Sequence, residues 1–232
     1  MKDKILRTKA WKFFIIVFCI PQILSHILLN GYMENLAADT SGFDPDTLIL
    51  RLSIVMIISM VCAIPMYLWM WAVGNELPRY IPQNLRVQPG FFNIALVSSF
   101  LLSSFASFSL VLAVKKVMNQ VLEAIGPDLD DFDPSLFDPS EFLSMLSAFK
   151  MPLLLLLVGF VLLLYCYYFS AKTISKAKLQ DKPGFGDNFI NFILHFVFFG
   201  SVFYFQPEIK KVMDNYRDED DINGITDIDD LI

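Results

Sequence analysis

Charge is scarce in this chain. Asp, Glu, Lys and Arg make up 18% of its 232 residues against 55% hydrophobic residues, and mean hydropathy is +0.53. That balance excludes an ordinary soluble domain, in which about a quarter of residues are charged. The charges present collect in the N-terminal tail, the connecting loops and the C-terminal tail, and they form no clustered basic face, so nucleic acid is not an expected partner. Cysteine is scarce too. Cys19, Cys62 and Cys166 are odd in number, lie in apolar runs and show neither C-x-x-C nor histidine spacing, which argues against a disulfide framework and a zinc site.

The hydrolase signatures G-x-S-x-G and H-E-x-x-H are missing. Gly184-Phe185-Gly186-Asp187 spells the G-x-G-D of intramembrane aspartyl proteases. That chemistry needs two carboxylates sharing a site, and no other apolar span carries Asp or Glu. The expectation is a protein that is not an enzyme and takes no cofactor.

What the chain has in abundance is apolar length. Five segments approach the roughly 20 residues a helix needs to cross a bilayer: Trp11–Leu29, Leu48–Val73, Phe91–Val114, Met151–Ser170 and Asn188–Gln206. The fifth is short, Phe-rich and interrupted by Gly200. Lys2, Lys4, Arg7, Lys9 and Lys12 precede the apolar run from Phe13 to Leu29 as in a signal peptide, with Leu36-Ala37-Ala38 as a candidate cleavage site. The run is long for such a segment and the site lies well beyond it, so the first span is read as uncleaved.

The hydrophobic part is written twice. Phe43-Asp44-Pro45 recurs as Phe137-Asp138-Pro139 and Pro89-Gly90-Phe91 as Pro183-Gly184-Phe185, both at an offset of 94. After a one-residue insertion, Asn93 matches Asn188 and Lys115-Lys116-Val117-Met118 matches Lys210-Lys211-Val212-Met213. Fixed-offset similarity marks a repeat. The predicted fold is an all-α, five-helix transmembrane bundle: one leading helix plus two parallel two-helix repeats. Residues 1–42 hold the basic tail, first helix and acidic loop; 43–120 form the first repeat, 121–136 an acidic linker, 137–215 the second repeat and 216–232 a disordered acidic tail. In each copy Asp44 or Asp138 reads as an N-cap before a proline in the first helical position.

The cationic N-terminal tail predicts a cytoplasmic N-terminus. With five crossings, the acidic loops and C-terminus then lie outside, and Trp11, Trp69, Trp71, Tyr165, Tyr167 and Tyr168 form an aromatic belt at the cytoplasmic interface.

Few residues are candidates for function. Ala95, Ser99, Ser103 and Ser107 recur every four residues, a small-residue stripe suited to close helix packing and, alternatively, to lining a solute path. His26, His195 and Asn188 are the polar intramembrane candidates, but neither histidine has an acidic partner within its span. Glu219, Asp221, Asn223, Gly224 and Asp230 match part of a calcium loop without its leading Asp and closing Glu; a solvated tail is the expectation, and no metal.

Tyr165–Lys211, with Ala171-Lys172-Thr173 and Gln206-Pro207, looks like a group of small multispan membrane proteins from Bacteroidota, as do Trp69-x-Trp71 and Ile81-Pro82. Gly200-Ser201 stands where that group has a proline and glycine. The resemblance implies a bacterial inner-membrane setting and no chemistry. The functional expectation is a non-enzymatic scaffold or accessory component of a membrane assembly, with lipid and other membrane proteins as partners. The alternative is a small-solute transporter or channel.

Overall fold

A computed structural model of the chain describes residues 5–30, 32, 44–125, 143, 146–196 and 198–223. Among these residues the protein is helical, with no strand. Its main helices among the described residues are, in order, α1 (Ala10–Asn30), α2 (Pro45–Asn75), α3 (Gly90–Ile125), α4 (Lys150–Leu179), α5 (Phe185–Phe196) and α6 (Phe198–Asn223), with short 3-10 turns at Leu77–Tyr80 and Gln83–Leu85 between α2 and α3. The first four are long and apolar enough to cross a membrane. Within α1 the turns widen to π geometry at Ile15–Cys19 and His26–Asn30. Pro21 lies just after the first wide turn and has no amide to offer the carbonyl of Val17.

Helix starts follow local chemistry. Asp44 caps α2: its carboxylate accepts from the Asp46 amide at 3.1 Å and the Thr47 hydroxyl at 2.5 Å. The Thr47 hydrogen bond chiefly holds the Asp44 carboxyl below its ordinary value of 3.8. The matching Asp138 lies outside the described residues. Both Pro-Gly-Phe elements open helices, the Asn93 amide bonding the Pro89 carbonyl at 3.0 Å and the Asn188 amide the Gly184 carbonyl at 3.3 Å. These bonds are equivalent at an offset of 95, the register after the insertion. At the start of α5 Asp187 also reaches back to accept from the Gly184 amide at 3.2 Å, as the third residue of a capping box does.

The helices run on past their apolar cores. α4 continues to Leu179 because Ala171, Ile174 and Ala177 remain buried while Lys172 and Lys176 point partly outward. α3 continues to Ile125, through the start of the expected linker. The tail expected to be disordered from residue 216 is instead helical to Asn223. Phe205, Ile209 and Met213, each 1% exposed and spaced four apart, anchor α6; once packed, the helix propagates at little cost. The expected fifth crossing is divided between α5, with 12 residues, and α6, whose second half is strongly charged. At 1.5 Å per residue α5 is about 18 Å long, against roughly 30 Å of bilayer core.

Two compact units divide the chain: Met1–Ile15, Pro65–Leu96 and Leu163–Ile232 form one, Ile16–Ile64 and Val97–Leu162 the other. In the first, Asn75 and Asn93 exchange amide hydrogen bonds at 2.8 and 3.0 Å between α2 and α3. Phe92 of α3 stacks on Phe169 of α4, with ring centroids 4.5 Å apart. In the second, Lys115 pairs with Asp46 at 2.8 Å, while Arg51 donates to the Leu28 carbonyl at 2.8 Å and lies over the Tyr32 ring.

The outward faces are apolar. Leu50, Ile57 and Val61 of α2 are about three-fifths exposed, as are Ile94, Leu101 and Phe105 of α3. Their spacing of seven and four residues makes a stripe along each helix. Water would penalise such surfaces, at about 25 cal/mol per Å², whereas acyl chains would not.

Gly74 allows α2 and α3 to meet, since a Cβ there would overlap the Phe92 ring. Gly74→Ala should therefore lower stability by about 1–3 kcal/mol, read as a lower thermal midpoint in detergent.

Candidate functional site

The small-residue stripe lies on α3. Ala95 and Ser99 are 1% and 0% exposed, while Ser103 and Ser107 are half-buried. Across from Ser103 is Gly159 of α4, where an added Cβ would sit 3.0 Å from the serine Oγ and 3.5 Å from its backbone nitrogen. A glycine facing a serine brings the two helices to close range at that level. Sequence reading found the serine side of this contact. Gly159 gave no signal, because a single glycine in an apolar run has no visible partner until α4 is laid against α3.

A second polar cluster is centred on Gln206 of α6, which is 6% exposed. Its side-chain oxygen accepts from the Trp69 indole at 2.7 Å, and its nitrogen donates to the Thr8 carbonyl at 2.9 Å and to that of Leu6. One side chain thus joins α2, α6 and the N-terminal segment. Nearby, Arg7 pairs with Asp214 at 2.8 Å, Lys178 with Glu208 at 3.4 Å, and Tyr80 meets Tyr216 edge-on at 5.4 Å. Trp69, expected in the interfacial belt, is 1% exposed and belongs to this interior cluster. Pattern alone could not separate the two, since an indole with one apolar body and one donor suits both places.

α5 is amphipathic in an unusual sense. Phe185, Phe189 and Ile190 face outward, 85%, 51% and 60% exposed. The opposite, polar face turns toward α4, where the Asn191 amide donates to the Ser175 hydroxyl at 2.6 Å, and Phe192 at its margin meets Tyr168. A helix in water would present the reverse arrangement.

The polar intramembrane candidates are not brought together. His26 lies on the exposed side of α1, and its Nδ1 is 2.6 Å from the Asn30 amide nitrogen. His195 and Asn188 both lie in α5; the Asn188 side-chain oxygen is buried without a partner among the described residues. No group of three metal-ligating side chains occurs among the described residues. Glu219, Asp221 and Asn223 are in helical backbone, which is not the conformation of a calcium loop, and Asp230 lies outside the described residues. The chain matches no protein-family model, no curated protein and no solved structure.

Gln206→Leu should remove about 1–3 kcal/mol, because buried carbonyls and the indole lose a common partner. The N-terminal segment should then become cleavable by a protease that leaves it intact in the parent protein.

Proposed function

We propose that this chain is a non-enzymatic polytopic membrane protein, a scaffold or accessory component of a membrane assembly. The contact between Ser103 and Gly159 carries this reading, because the small-residue stripe is engaged in helix packing there instead of facing an open path. Lipid contacts the apolar stripes of α2 and α3, and other membrane proteins meet the acidic segments flanking the spans. The likeness to small multispan proteins of Bacteroidota and the inner-membrane setting belong to the same proposal.

The five-crossing arrangement gives way here to four crossings and a helical hairpin. α5 enters the membrane from the connector side and α6 returns to it. This is supported by the short length of α5, its outward apolar face, and the contacts of Glu208, Asp214 and Tyr216 with Lys178, Arg7 and Tyr80. Lys210, Lys211 and Arg217 then share a side with the basic tail and both connectors. The positive-inside bias, which five crossings cancel, is restored. The sequence repeat persists in the helix starts, while its second copy ends in a different path.

In a variant whose native cysteines are alanine, a cysteine at Asp131 should react with an impermeant thiol reagent in intact cells. Cysteines at Lys178 and Glu219 should not. Labelling at Glu219 with protection at Lys178 would restore the fifth crossing.

Substitution of Ser103 separates scaffold from transporter. Ser103→Leu should force α3 from α4 and lower the thermal midpoint, whereas Ser103→Ala should cost about 0.6 kcal/mol and leave liposome solute flux at background. Normal stability with altered flux in Ser103→Ala would favour the solute path.

A further inference from the structure

Three cations near the end of α4 have no acidic partner among the described residues. Lys172, Lys176 and Lys182, like several other cations, form no ion pair among the described residues; what sets these three apart is that they lie together. Lys172 and Lys176 are one turn apart on α4, and both Lys172 and Lys182 act on Lys176 as neighbouring like charges. Two of the three are also held in place. Lys176 donates to the Leu85 carbonyl at 2.7 Å, and the Lys172 ammonium lies 6.0 Å from the centre of the Tyr168 ring. Asp181 stands beside them, its carboxylate accepting from the Lys182 amide at 2.6 Å, but it forms no ion pair with the three ammonium groups among the described residues; gathering three like charges against one carboxylate is unfavourable, and more so where water is partly excluded.

An apolar surface adjoins this cluster. Tyr168, which carries Lys172 above it, also meets Phe192 of α5, and the neighbouring Phe189 and Ile190 face outward. Cations beside an outward apolar face match a molecule with an anionic head and hydrocarbon chains, and free phosphate would satisfy only the first half. We propose that Lys172, Lys176 and Lys182 bind the phosphate of an anionic phospholipid whose acyl chains lie on the outward face of α5. The inference rests on the membrane reading above, in which that face meets lipid. Basic clusters at helix ends recognise anionic headgroups in this way, each lysine adding roughly a fivefold preference.

The full chain, purified in detergent, would be titrated with phosphatidylglycerol, phosphatidylcholine or inorganic phosphate. Retained lipid is counted by native mass spectrometry and the thermal midpoint is followed in parallel. Phosphatidylglycerol should be retained and raise the midpoint, and the other two should do neither. Combined Lys172→Gln, Lys176→Gln and Lys182→Gln should weaken retention by about fivefold per lysine; Lys115→Gln with Lys116→Gln should not. If loss of the Lys176 bond to Leu85 prevents folding, Lys172→Gln with Lys182→Gln keeps the test open, at about 25-fold weaker retention. Equal retention of both lipids, unchanged retention in the variants, or an equal midpoint rise with inorganic phosphate would overturn the site. Those outcomes leave the thiol-labelling pattern untouched, so failure of the site and failure of the membrane reading are distinguishable.

Discussion

The constraint on which the rest depends is that a polar group facing hydrocarbon must find its partner inside the protein. Backbone groups meet it by forming helices, which is why the described residues are helical without a strand. Side chains meet it by turning inward. Asn75 and Asn93 satisfy each other, Ser53 and Ser59 donate back to carbonyls of their own helix, and Asn191 reaches Ser175. Leu, Ile and Phe are left on the outside, where in water they would be the least favourable residues to expose.

The same constraint explains why Gln206 organises the first unit. A buried amide has donors and an acceptor to satisfy, and here the Trp69 indole and the carbonyls of Leu6 and Thr8 do so. Satisfied polar clusters of this kind specify one arrangement, because any slip leaves several groups unpaired at once. Together with Ile209 and Met213 beneath it, Gln206 sets where α6 lies and with it the position of the charged C-terminal half. The unpaired lysines of α4 and the outward face of α5 belong to this unit as well.

Much of the architecture was legible from residue pattern. Hydropathy located α1 to α4, and Asp44-Pro45 marked the start of α2, because caps and apolar length are local properties. The fifth segment is where residue pattern decides least, for a physical reason. Phe189, Ile190, Ile193 and Phe203 raise its hydropathy as a crossing helix would, and they are exposed on a 12-residue helix and on the start of the next, the arrangement on which the proposed hairpin rests. The letter match does not decide the matter either, since Lys210-Lys211 copies Lys115-Lys116 while the surroundings differ. Lys115 meets Asp46, whereas Ile209 beside Lys210 packs near Ile174 and Leu77.

By itself, then, the sequence determined the helical class, the four long apolar helices, the capped start of α2 and the small-residue face of α3. These follow from interactions within a few residues of each other and from the length a bilayer demands. Only the tertiary structure decided that Gly159 faces Ser103, that Trp69 is interior, that Gln206 holds the N-terminal segment and that α6 packs beside Lys178 and Tyr80. Each of those joins residues far apart in the chain, and no local propensity encodes which of several equally apolar helix faces will meet.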